Sequence, residues 1–181
     1  MKFTKNLCTV LLCISSIAIS FAQTDLKEKE KSNAEKFSDK SGTVIQKEFI
    51  DVGDLKKCKI QIAKFTDLVS NQKTSAVRFE YSYVSSYSSD TKLALLDSDE
   101  IDGLIKSLKL VQEKILPTTA TSYTEVSFRS RSGFEAGRYS KKNSWDFYMK
   151  LERYDGKSYV FLDKEDLPKL LSILEQAKAS L

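Results

Sequence analysis

Two runs of carboxylates are the residues in this sequence whose types and spacing most readily suggest chemistry. Asp97, Asp99, Glu100 and Asp102 form one, and Asp163, Glu165 and Asp166 form the other. Paired acids can work as general acid and base, or they can hold calcium. Their placement favours a plainer role. Each run opens a stretch of helical periodicity, where acids cap free N–H groups and complement the helix dipole. Neither run has the glycine and ligand spacing of a calcium loop. Asp97 with Glu100 three residues on reads as a capping box.

Other catalytic parts are missing from the sequence. The chain contains no histidine, which removes the commonest general base and every serine–histidine or cysteine–histidine arrangement. Its six glycines build no phosphate-cradling loop, and no cysteine cluster is spaced to hold zinc. A hydrolase using carboxylates alone is the enzymatic reading that remains, and it ranks last. The sequence predicts no cofactor and a non-enzymatic role.

Basic and aromatic side chains offer a different chemistry. Arg129 and Arg131 share a phase on one predicted strand, and Arg138, Lys141, Lys142 and Lys150 lie on the neighbouring strands and turn. With Tyr148, they form a candidate ligand-binding face on the outer side of a second sheet. Such a face suits phosphate, a sulfated or carboxylated polysaccharide, or an acidic protein. The same residues also suit a solvated sheet face, because charged outer strands are routine. Phe79, Tyr81, Tyr83, Trp145 and Phe147 share phase with apolar core positions, whereas Tyr148 and Tyr123 point to the opposite side.

The elements that must position these residues follow from periodicity. Alternation predicts strands over Thr43–Asp51, Lys57–Phe65, Ser75–Val84 and Lys92–Leu96, with a turn at Asp51–Asp54 after the first. A helix follows from Asp97, with Ile101, Leu104, Ile105, Leu108, Val111 and Ile115 on one face, until Pro117 stops it. The pattern then recurs: strands over Ser122–Arg131, Phe134–Ser140, Trp145–Leu151 and Ser158–Leu162, a hairpin turn at Asp155-Gly156, and a helix from about Asp166. Trp145–Leu174 overlays Phe79–Leu108 without a gap, with Leu96/Leu162, Asp97/Asp163, Leu104/Leu170 and Leu108/Leu174 identical. The expectation is an α+β fold, a tandem ββββα–ββββα pseudo-repeat whose antiparallel sheets are each covered by one helix. Residues 42–116 and 117–181 would be its halves, joined as one domain because about 65 residues is marginal for a core of its own.

The N-terminus adds a location. Lys2 and Lys5 precede an apolar run over Leu7–Phe21, and Ser20-Phe21-Ala22 places small residues at a cleavage site. Residues 1–22 therefore read as a secretory signal peptide, and residues 23–41, with alternating charges, as a flexible spacer. The mature chain would be soluble, without a membrane span, in the periplasm or outside the cell. Cys8 and Cys13 leave with the leader, so Cys58 is the one remaining cysteine, in phase with Ile60 and Ile62 as a buried thiol. The whole chain has 29 basic and 25 acidic residues. Without Lys2 and Lys5 the balance is 27 to 25, a net charge of +2, too close to neutral for a general polyanion binder.

The order of elements over roughly Gly42–Leu181 resembles the PUR repeat and Whirly-type folds, in which a doubled four-strand-plus-helix unit binds single-stranded nucleic acid. The resemblance lies in topology and hydrophobic phase rather than in a residue motif. It implies two packed repeats and an alternative function as an extracytoplasmic single-strand binder. The leading expectation is an exported domain that binds a protein or an anionic ligand through a sheet surface.

Overall fold

The structure is a computed structural model, and it describes residues 30–141 and 144–181. The expected signal peptide, the first part of the expected spacer and Lys142 lie outside the described residues. The fold is α+β: two four-stranded antiparallel sheets and, among the described residues, three α-helices. Helix α1 (Asn33–Ser38) precedes strands β1 (Ile45–Leu55), β2 (Cys58–Asp67), β3 (Lys73–Val84) and β4 (Ser89–Leu96), which pair in chain order. Helix α2 (Ser98–Leu110) follows and ends in a π-helical turn, Val111–Ile115. Strands β5 (Glu125–Arg129), β6 (Glu135–Lys141), β7 (Ser144–Lys150) and β8 (Tyr159–Leu162) make the second sheet, again in chain order, before helix α3 (Asp166–Ala179). Pro168 lies in the first turn of α3, where its missing N–H would have no intrahelical partner in any case. No helix among the described residues is long and apolar enough to cross a membrane.

One core runs through both halves. Ile60 and Ile62 of β2 and Val77 and Phe79 of β3 meet Phe147 and Met149 of β7, Val160 and Leu162 of β8, and the apolar faces of α2 and α3. Phe79 and Phe134, one from each side of this core, pack with ring centroids 4.8 Å apart and planes tilted by 34°. Burying side chains of this size contributes about 1.5–3 kcal/mol each, and this shared cluster ties the two sheets into one core. The expectation of one helix per sheet is modified in the structure. Helix α3 packs against β1, β2 and α2, and α2 packs against both β3 and β5. Two glycines admit these approaches: a Cβ on Gly53 would lie 3.1 Å from Ile173 of α3, and one on Gly103 of α2 would lie 3.0 Å from Phe128 of β5.

Three local expectations are corrected. Strand β1 does not end at Asp51. It continues past a bulge at Val52, where the pairing steps from Asp51↔Gln61 to Gly53↔Ile60, and the turn is Lys56-Lys57 instead. Asp155-Gly156 is not a two-residue hairpin turn. Residues 151–158 form a longer loop with a 3-10 turn, Gly156–Ser158, in which Asp155 accepts from the Lys157 N–H at 2.8 Å. Lys92 of β4 reaches across from the first sheet to bind Asp155 at 2.5 Å, and that long-range pairing competes with the local turn preference.

The third correction concerns the spacer. Within residues 30–41 the chain forms α1, opened by a capping box in which Glu35 N–H donates to Ser32 Oγ at 3.1 Å and Ser32 N–H to Glu35 Oε2 at 2.7 Å. Ala34 and Phe37 pack on the outer face of the first sheet, over Ala63, Phe65, Ala76 and Leu95.

Candidate functional site

The carboxylate runs are occupied by the protein itself. Asp97 N–H donates to Glu100 Oε2 at 2.9 Å, completing the helix start. The Asp97 carboxylate accepts the N–H groups of Asn33 and Ala34 at 2.7 and 3.0 Å, so it holds the first turn of α1. Arg131 closes the group. Its guanidinium grips Asp99 bidentately at 2.7 and 3.0 Å and reaches Asp97 at 2.6 Å, while its backbone N–H donates to Glu100 Oε1 at 2.7 Å. The hydrogen bonds that Arg131 donates hold Asp99 below the ordinary carboxylate range, and the same bonds to Asp99 and Asp97 push the guanidinium further up. The second run behaves alike: Lys56, in the β1–β2 turn, binds Asp163 and lies 3.0 Å from Asp166. Among the described residues no group of three acids or cysteines is placed to hold a metal ion.

The strands do not bring the predicted basic face together. Strand β5 ends at Arg129, so Arg131 lies in the following turn and is spent on the acids of α2. Arg138 is not on the outer side. It alternates with Ala136 on the core side of β6, opposite Phe147, and is 1% exposed. Its guanidinium sits between Trp145 and Phe147, 4.2 and 4.7 Å from the ring centroids. Among the described residues Nε and Nη1 have no hydrogen-bond partner, and burial pulls the group down to about 10. Cys58 is buried as expected, and desolvation raises its thiol to about 12.

Arg129, Lys141, Tyr148 and Lys150 do share the outer face of the second sheet, and three rings that the sequence reading did not select join them. Tyr139 of β6, Tyr148 of β7 and Tyr159 and Phe161 of β8 form a continuous row, with centroid separations of 6.2, 5.5 and 5.7 Å. Tyr159 and Phe161 are within 7° of parallel, and the Lys150 ammonium lies 4.9 Å from the Tyr159 centroid. Glu135 organises the centre. It accepts from the Tyr148 hydroxyl at 2.8 Å and pairs with Arg129 at 3.2 Å. Burial alone would raise this carboxyl, but the hydrogen bonds from Tyr148, Ser127 and Arg129 bring it below its ordinary value. Burial and Glu135 push the Tyr148 hydroxyl up. Tyr148 itself is only 6% exposed, because its neighbours cover it.

Between these side chains lies an open depression of about 410 Å³, lined by Tyr123, Glu125, Arg129, Glu135, Tyr139, Tyr148, Tyr159 and Phe161. Phe161 and Tyr123 stand out from it, 60% and 70% exposed. A second depression of about 540 Å³, on the side of residues 120–122 and Lys141, shares Tyr123 and Tyr139 with the first. Gly137, on the same face, allows β5 to lie close, since a Cβ there would be 2.4 Å from Val126 O. Strand phase was the signal for the missed rings: Tyr159 and Phe161 alternate with the buried Val160 and Leu162.

No protein-family model matches the chain, and no curated protein or solved structure matches it.

Proposed function

We propose that this protein is an exported, non-enzymatic binding domain, two ββββα repeats packed as one body, that engages its partner through the open face of β5–β8. The observation that carries this reading is the continuous row Tyr139–Tyr148–Tyr159–Phe161 beside a solvent-open depression. Aromatic side chains with arginine are the groups that recognition surfaces favour. The leader-like residues 1–22 support export. The engagement of Asp97, Asp99, Asp163 and Asp166 by Arg131 and Lys56 supports a binding role over a hydrolytic one. The pseudo-repeat draws support from two sheets of identical strand order, each followed by a helix.

The test does not depend on knowing the partner. A photo-crosslinking phenylalanine analogue is placed at Phe161, or at Tyr87, which is 99% exposed on the hairpin of the other sheet. Irradiation of the cells that make the protein should give a discrete adduct from position 161 and none from 87. No adduct from either, or the same products from both, would refute the reading. Single-strand binding is the second reading, favoured by the ring row, because stacked bases use such rings. It requires affinity for an oligothymidylate that falls steeply with salt.

A further inference from the structure

We infer that the open face of the second sheet takes a neutral oligosaccharide chain, an inference that rests on the reading of that face as a binding surface. Charge is the first argument. Among the described residues of β5–β7, Arg129, Lys141 and Lys150 share the face with Glu125, Glu135 and Asp146, so these cations and carboxylates balance. Arg129 is already paired with Glu135. A polyanion would meet as many carboxylates as cations there, which removes the electrostatic gain on which such binding depends.

The chemistry of the face is the second argument. A sugar ring has an apolar C–H side and an edge of hydroxyls. The exposed rings of Phe161 and Tyr123 offer apolar surface for the first. Ionised carboxylates accept at about four positions and a guanidinium donates at five, which suits adjacent hydroxyls. Glu135 has about four acceptor positions against the three donors Tyr148, Ser127 and Arg129, so it keeps some acceptor capacity. Its hydrogen-bonded setting holds it ionised.

Shape is the third. The depression beside Phe161 has the volume of a small-ligand site. It adjoins the second depression, with which it shares Tyr123 and Tyr139. Both are open to solvent rather than enclosed, which leaves room for a chain of several units to lie across the face.

The purified protein is run in native gels cast with laminarin, hydroxyethylcellulose, xylan, galactomannan or dextran. A hexasaccharide of any retarding polymer is then titrated calorimetrically at low and moderate salt. Heparin fragments and an oligothymidylate serve as polyanionic probes. The expected result is retardation by at least one neutral polymer, with affinity insensitive to salt. Affinity should fall about tenfold or more in Phe161→Ala, as for an exposed aromatic anchor, and should be unchanged in Tyr87→Ala. Thermal melting of both variants reports that they remain folded. Retardation by no neutral polymer overturns the inference, as does neutral binding that Phe161→Ala leaves intact. Binding to a polyanion alone, lost in Phe161→Ala, overturns the neutral chain but keeps the face. A protein adduct at position 161 with no glycan binding does the same.

Discussion

The two sheets treat their outer faces in opposite ways. The first is closed over by α1, whose Ala34 and Phe37 sit on Ala63, Phe65, Ala76 and Leu95. Among the described residues the second stays open, and it carries rings tied by hydrogen bonds and ion pairs. Both have small residues near the middle, but they serve different ends. Ala63 and Ala76 pair across β2 and β3 and leave a shallow seat for a helix. Gly137 instead lets its own neighbouring strand come close, while Tyr139 and Tyr148 stand up beside it. A helix could not lie flat on the second face without burying Glu135 and Arg129, a cost the rings alone would not offset. The comparison teaches that cover is decided by what the outer phase carries, since strand order is the same in both sheets.

Removing Asp97 should break the covered face most severely. Its carboxylate holds two N–H groups of α1 and the Arg131 guanidinium, and breaking such a group from one side costs about 3 kcal/mol. Asp97→Ala should therefore lower the urea midpoint and speed amide exchange over residues 30–41, with exchange in β5–β8 much less affected. The open face is most sensitive at Gly137. Gly137→Ala forces β5 away from β6 and should destabilise by about 2 kcal/mol, with near-ultraviolet tyrosine dichroism lost in proportion.

Acid gives the smallest effect and tests the link that runs from α1 into β1. Asp67 is held down to about 2 by Thr43, with Ser70 and Val69 adding hydrogen bonds, and Thr43 belongs to the link from α1 to β1. A carboxyl depressed in the folded state stabilises above its ordinary pKa of about 4, and that stabilisation fades as pH falls toward about 2. Cleavage by pepsin near residues 39–44 should increase over that window. Asp67→Asn should be cleaved faster at the top of the window and show a flatter rise; equal rises in both proteins would argue against the anchor.

Most of the scaffold was legible because alternation and helical spacing are local. All eight strands and the two long helices overlap the stretches that periodicity predicts, although β1 runs on to Leu55 and β5 is only Glu125–Arg129, and the start of α2 was readable from Asp97 and Glu100. Helix α1 was half legible. Ser32-Asn-Ala-Glu35 is a capping box in the sequence, but six residues do not hold a helix alone. The stabilising carboxylate, Asp97, lies more than sixty positions downstream.

Arg138 misled for another reason. Charge argues outward, and only the register decides otherwise. Pairing Lys141 with Ser144 puts Arg138 opposite Phe147, on the core side, where Trp145 and Phe147 accept its guanidinium by their ring faces. The ring row was hidden because it joins three strands, and no single strand displays it.

The acids at the two helix starts have a consequence for the order in which the chain can mature. Asp97, Asp99 and Glu100 wait for Arg131, and Asp163 and Asp166 are met by Lys56, about a hundred residues earlier. Helix α3, the last element, lies on β1, the first strand. A chain emerging from its N-terminus therefore cannot finish either half before the final helix arrives. Loop closure over such distances slows folding and makes it all-or-none, so a truncated chain is left with an uncovered sheet rather than a smaller folded protein.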